Sequence, residues 1–120
     1  MESILTSIKK LLGVVEEDTN FDTDIIMHIN SVFSILTQLG VGPSEGFSIS
    51  DSYATWTEFT KDAIELNPVK TYMHLKVKLL FDPPLSSNVL SAMERQISEL
   101  EWRLNAASDF KPISKEGVGE

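Results

Sequence analysis

Pro68-Val69-Lys70-Thr71-Tyr72-Met73-His74-Leu75-Lys76-Val77-Lys78-Leu79-Leu80-Phe81-Asp82-Pro83-Pro84 is the stretch on which the reading of the fold turns. A proline is welcome in the first turn of a helix, where its missing N–H would have had no partner, and Pro83-Pro84 is a stop. Wound at helical pitch, Val69, Tyr72, Met73, Leu75, Val77, Leu79 and Leu80 cover most of the circumference, while Lys70, His74 and Lys78 share one narrow basic strip. A helix that is apolar nearly all round needs other helices around it. Lys76 falls inside the apolar arc; a packed stem with the ammonium led to an edge explains it better than a catalytic role.

The neighbours follow outward. Upstream, Trp56, Phe59, Ala63, Ile64 and Leu66 give a helix over Thr55 to Leu66, interrupted at Asn67-Pro68. Downstream, Ser86-Ser87-Asn88 are good capping residues, and Leu90, Met93, Ile97, Leu100 and Leu104 alternate steps of three and four in a coiled-coil-like seam. Near the start, Ile4, Leu5, Ile8, Leu11 and Leu12 form a short amphipathic helix stopped by Gly13. After the acidic connection Glu16-Glu17-Asp18-Thr19-Asn20, a longer helix opens at Asp22-Thr23-Asp24. It buries Ile25, Ile29, Val32, Phe33, Leu36 and Leu39 and ends at Gly40 and Gly42-Pro43. Residues 41 to 52 read as an ordered loop around Phe47 and Ile49. The expectation is an all-α, single-domain helical bundle of about four to five helices over residues 1–107, with a flexible C-terminal tail over 108–120.

A chain of 120 residues can bury a real core without staples. With no cysteine, disulfides, thiolate metal sites and a cysteine nucleophile are excluded. No apolar run is long enough to cross a membrane, and the first residues lack the form of a secretory signal, so cytoplasmic synthesis is expected. The net charge of -8 comes wholly from residues 1 to 65, with 11 acidic and 3 basic side chains against 7 of each beyond them. That balance argues against DNA binding, which draws on Lys and Arg displacing counterions.

The sequence carries no phosphate loop, no nucleophile elbow, no zinc-protease helix and no calcium loop. His28 and His74 fall on different helices and read as surface or helix-edge residues. The acids Glu16, Glu17, Asp18, Asp22 and Asp24 lack alternating ligands and a turn glycine, which favours a solvated face over a cation site. Neither catalytic residues nor a metal or cofactor are expected. Trp56 and Phe59, one turn apart, read as core. Trp102 instead projects away from the seam, on a side shared with Arg95 and Glu99. With Arg103, Lys70, Lys78 and Phe47, Trp102 and Arg95 make up the candidate protein-interface residues.

Two of these stretches, Val69 to Pro84 and Glu99-Leu100-Glu101-Trp102-Arg103-Leu104-Asn105, together resemble the head-tail connector (adaptor) proteins of long-tailed bacteriophages. Phe21-Asp22, Ile29-Asn30, Leu39-Gly40-Val41-Gly42-Pro43 and Trp56-Thr57-Glu58-Phe59 fit the same pattern, so the resemblance spans roughly residues 15 to 107. It implies a non-enzymatic virion protein, made in the host bacterial cytoplasm and placed at the head-tail junction. It further implies a dodecameric ring of identical copies under the portal protein, extending the DNA channel used in packaging and receiving a stopper or tail-completion protein. DNA would only pass through. An acidic first half suits such a channel wall, to which DNA does not stick. The alternative is a small phage-encoded helical binding or regulatory protein acting as a monomer or dimer.

Overall fold

A computed structural model describes residues 2–109, which form five helices: α1 (Ile4–Leu12), α2 (Asp22–Gln38), α3 (Trp56–Phe59), α4 (Ala63–Phe81) and α5 (Ser87–Asp109). The only β pairing among the described residues is an isolated bridge between Ser3 and Thr55. The all-α expectation holds.

Local chemistry sets the helix ends. Ser3 Oγ accepts from the Thr6 amide at 3.1 Å to start α1, and Gly13, at φ 82, turns the chain out of it. At the end of α2, Gly40 adopts φ 85 so that the Val41 amide reaches the Leu36 carbonyl at 2.9 Å and its own amide the Thr37 carbonyl at 3.0 Å. These paired bonds close the last turn, as a glycine one residue past the helix cap Leu39 allows.

The expected helix over Thr55 to Leu66 is corrected. It is a single turn, α3, after which Thr60 is extended and a new helix starts at Ala63. Glu58 Oε1 accepts from the Thr55 amide at 3.2 Å and Asp62 Oδ1 from the Glu65 amide at 3.3 Å, so two acids four residues apart cap separate helices. Pro68 therefore lies inside α4 and not at its first position. In its second turn it forfeits one hydrogen bond, to the Ile64 carbonyl, and the helix continues.

Helix α4 packs against α1, α2 and α5, the central position its apolar circumference demands. Val69, Tyr72, Met73 and Val77 are fully buried, but Leu80 is half exposed, so the enclosure fails at the C-terminal end. Helix α5 lies on α4 through Ile97 and Leu104, with Met93 and Leu100 partly covered. Its far end is tied to the end of α2: Asn105 Nδ2 donates to the Leu39 carbonyl at 3.2 Å and Ser108 Oγ to the Gly40 carbonyl at 2.9 Å. The helix thus continues two residues past the expected domain boundary at 107, and the rest of the expected tail, residues 110–120, lies outside the described residues.

The loop between α2 and α3 is ordered by side chains. Asn30 Nδ2 donates to the Ile49 carbonyl at 2.9 Å and Asn30 Oδ1 accepts from the Ile49 amide at 2.8 Å, so one amide group replaces a strand partner. The loop also delivers Phe47 edge-on to Phe33 and Phe59, with ring centroids 5.0 and 5.5 Å apart. Trp56 completes this aromatic group; its Nε1 donates to Ser7 Oγ at 2.9 Å, and Ser7 Oγ to the Ile4 carbonyl at 3.0 Å. A buried indole needs such a partner, and α1 supplies it.

One helix face differs from its expected composition. Leu11 is 52% exposed, while Lys9, one turn from both Leu5 and Leu12, is 3% exposed. Its ammonium donates to the Glu16 carbonyl at 3.0 Å and the Asp18 carbonyl at 2.8 Å, and lies 2.8 Å from Asp22 Oδ1. That carboxylate oxygen, buried and with no hydrogen bond of its own, is thereby met by a charge. The acidic connection is wrapped around a lysine and is not simply a solvated face.

Candidate protein-interaction surfaces

The candidate interface residues are distributed over three places. Trp102, Arg95 and Arg103 are exposed on the outer side of α5, opposite the Ile97 and Leu104 seam; Trp102 is 72% exposed. Arg103 Nη2 lies 2.7 Å from Glu99 Oε2, one turn away, a solvent-exposed pair that adds little stability. Arg95 has no ion-pair partner among the described residues.

On α4 the basic strip is engaged locally. Lys70 Nζ is 3.3 Å from Glu2 Oε1 and 5.6 Å from the centre of the Trp56 ring, and Lys78 pairs with Asp82 at 2.9 Å. Between them, His74 is held below the ordinary histidine range, first by burial and then by the Lys78 charge, against a hydrogen bond to the Leu11 carbonyl that favours its protonated form. Phe47 is half-buried in the aromatic group around Phe33. The structure therefore brings together the three α5 residues and leaves Lys70, Lys78 and Phe47 apart from them.

Two further surfaces escaped the reading of the sequence. Beside α1 runs a groove of about 870 Å³ bounded by Val14, Val15, Glu16 and Glu17 on one wall and Ser52 and Tyr53 on the other, with Glu2 and Lys10 also lining it. Val15 and Tyr53 are 64% and 83% exposed. At the end where α4 is incompletely enclosed, Leu12, Val14, Phe21, Leu80 and Phe81 border a shallower hollow with Asp24, His28 and Asp82; Phe21 meets Phe81 edge-on at 5.4 Å. Each hollow joins residues far apart in sequence, so no local pattern announced it.

The buried ionisable groups serve packing. Tyr72, wholly buried, donates to Glu101 Oε2 at 2.7 Å, and its phenol is pushed well above the ordinary range by burial and then by that acceptor. It ties α4 to α5. No group of three or more His, Asp or Glu able to hold a metal ion occurs among the described residues. Among those residues, no helix is long and apolar enough to cross a membrane.

What the molecule offers, then, is a helical slab with extents of 49 × 35 × 20 Å and exposed apolar and charged patches, the equipment of a protein that works by contact with other proteins. The family comparison makes the class specific. A family model described as phage connector protein matches residues 4–111, a span that takes in all five helices, and the chain belongs to that family. Its role is accordingly that of a connector-type structural component of a phage virion, and the family is structural, not enzymatic. No curated protein and no solved structure matches the chain.

Proposed function

We propose that this connector acts at the head-tail junction, where copies form a ring beneath the portal, prolong the DNA channel and dock a stopper or tail-completion protein. The observation that carries the reading is Trp102, 72% exposed on a helix whose apolar seam is already occupied within the subunit. A large aromatic side chain held in water beside an arginine is the composition of an interface anchor. The acidic balance of residues 1–65 fits a channel through which DNA passes without binding.

The pure protein is expected to be a monomer or small oligomer that joins a ring only on a portal template. Sedimentation with and without portal particles from its own phage, followed by negative-stain imaging, tests this. A ring on the portal is the expected result, and a protein that never co-sediments with that portal refutes the assignment. In the same assay Trp102→Ala should lose portal-dependent assembly while its thermal unfolding stays within about 0.5 kcal/mol of the parent, as for an exposed side chain.

A further inference from the structure

We infer that neighbouring copies join by unlike surfaces: the outer face of α5, with Trp102 and Arg95, enters the groove beside α1 of the next copy. The inference rests on the self-assembling reading above and adds to it the two faces that meet.

The groove is built to receive something. Both rims are fixed before any partner arrives. One is the connection after Gly13, held by the Lys9 ammonium through the carbonyls of Glu16 and Asp18; the other is the segment at Tyr53, held by the Ile4 amide on the Ala54 carbonyl at 2.9 Å and the Tyr53 amide on Asp51 Oδ1 at 2.9 Å. Fixed rims spare the ordering cost that weakens loop-made interfaces. Yet they hold Val15 and Tyr53 out in water, where neither gains by folding alone.

Charge selects the occupant. Glu16 and Glu17 on the groove wall have no ion-pair partner among the described residues, and the one base lining the groove, Lys10, leaves it net acidic. On the outer face of α5, Arg95 is the complementary cation, sharing its face with the exposed indole of Trp102 and the small side chains of Ser91 and Ser98, with Glu94 at the edge. An aromatic knob with a cation beside it fits a groove that exposes Val15 and Tyr53 with acids beside them. The two surfaces belong to different elements, α5 packing on α4 and the groove lying on α1 and two loops, so one copy presents both at once. Contacts between unlike faces run head to tail and close into a ring when the rotation allows.

The chain has no cysteine, which makes single thiols specific probes. Ser52→Cys at the groove rim and Ser98→Cys on α5, both at exposed positions, are mixed as separate full-length variants on portal particles and treated with a short bismaleimide. The expected product is a 52-to-98 cross-linked pair, several-fold above either self-pair. Glu16→Arg with Glu17→Arg should suppress it, and adding Arg95→Glu should restore it. Trp102→Ala should weaken self-association by about thirtyfold, the equivalent of an interface hot spot of about 2 kcal/mol. Copies that assemble on the portal without the 52-to-98 product, or that cross-link only through 98 to 98 or to the portal itself, overturn this contact and leave the connector role standing. Absence of any assembly, with or without portal, overturns both.

Discussion

Replacing Lys9 by methionine keeps most of the stem volume and removes only the ammonium, so it isolates what the buried charge contributes. The variant loses donors to the Glu16 and Asp18 carbonyls, at 3.0 and 2.8 Å, and leaves Asp22 without its counter-charge at 2.8 Å. Each hydrogen bond from a charged group contributes roughly 1.5–3 kcal/mol net, and breaking a buried ion pair by removing one partner costs about 3–5 kcal/mol. Asp22 is 25% exposed and can recover some hydration, and the ammonium's own desolvation is relieved, which places the loss near the low end, about 3 kcal/mol. For a domain of this size that is roughly a 12 °C fall in melting temperature. Urea unfolding followed by far-UV circular dichroism measures it. Lys9→Met combined with Asp22→Asn should recover about half the loss, since the stranded carboxylate is then gone. Amide exchange should accelerate locally from Val15 to Thr19 even where the global fold survives. A loss below about 1 kcal/mol, or a double variant no better than the single one, would refute the argument that this charge organises the connection.

Other expectations follow from particular contacts. Gly42→Ala should destabilise by about 2–4 kcal/mol in thermal unfolding, because φ is 85 and a Cβ there would lie 2.4 Å from Phe59 Cε1, combining left-handed strain with a clash in the aromatic group. Tyr72→Phe should cost about 1–1.5 kcal/mol by the loss of the 2.7 Å bond to Glu101, with denaturant titration as the measure; no change would mean that Glu101 is fully rehydrated. His74, held below its ordinary value when folded, resists protonation while the unfolded chain accepts it near pH 6.5. The unfolded state then binds more protons, so stability should fall as pH drops through that range and level off below the folded value; His74→Gln should flatten this part of the profile.

The helices were legible because each buries a face made by its own sequence. Ile25, Ile29, Val32, Phe33 and Leu36 are all buried on α2 as their spacing requires, and Trp56 and Phe59 are core. The Trp102 side of α5 was equally readable, since a residue off the seam of a terminal helix has little else in the chain to touch. Errors arose where tertiary or capping chemistry overrode periodicity. Pro68 looked like a beginning because proline favours first turns, but the acid caps at Glu58 and Asp62 had already divided the segment. Lys9 is a charged residue outside the apolar set that marks α1 in the sequence. A helical wheel does place it between Leu5 and Leu12, but the carbonyls and carboxylate that make its burial tolerable come from residues 16 to 22 and follow no helical spacing. The groove beside α1 depends on the same wrapping together with the return of the chain at Tyr53, so it could not be read before the fold.

The unequal placement of the two tryptophans has a practical consequence for spectroscopy. Trp56 is enclosed by Phe33 and bonded through Nε1 to Ser7, while Trp102 stands in solvent. Emission from the first is blue and responds to unfolding; emission from the second is red and responds to whatever covers α5. A Trp102→Phe variant therefore gives a clean optical readout of folding, and a Trp56→Phe variant, if it folds, one of docking. Quenching by iodide separates the two signals in the unaltered chain, so progressive shielding of the accessible component would follow assembly in real time without any attached dye.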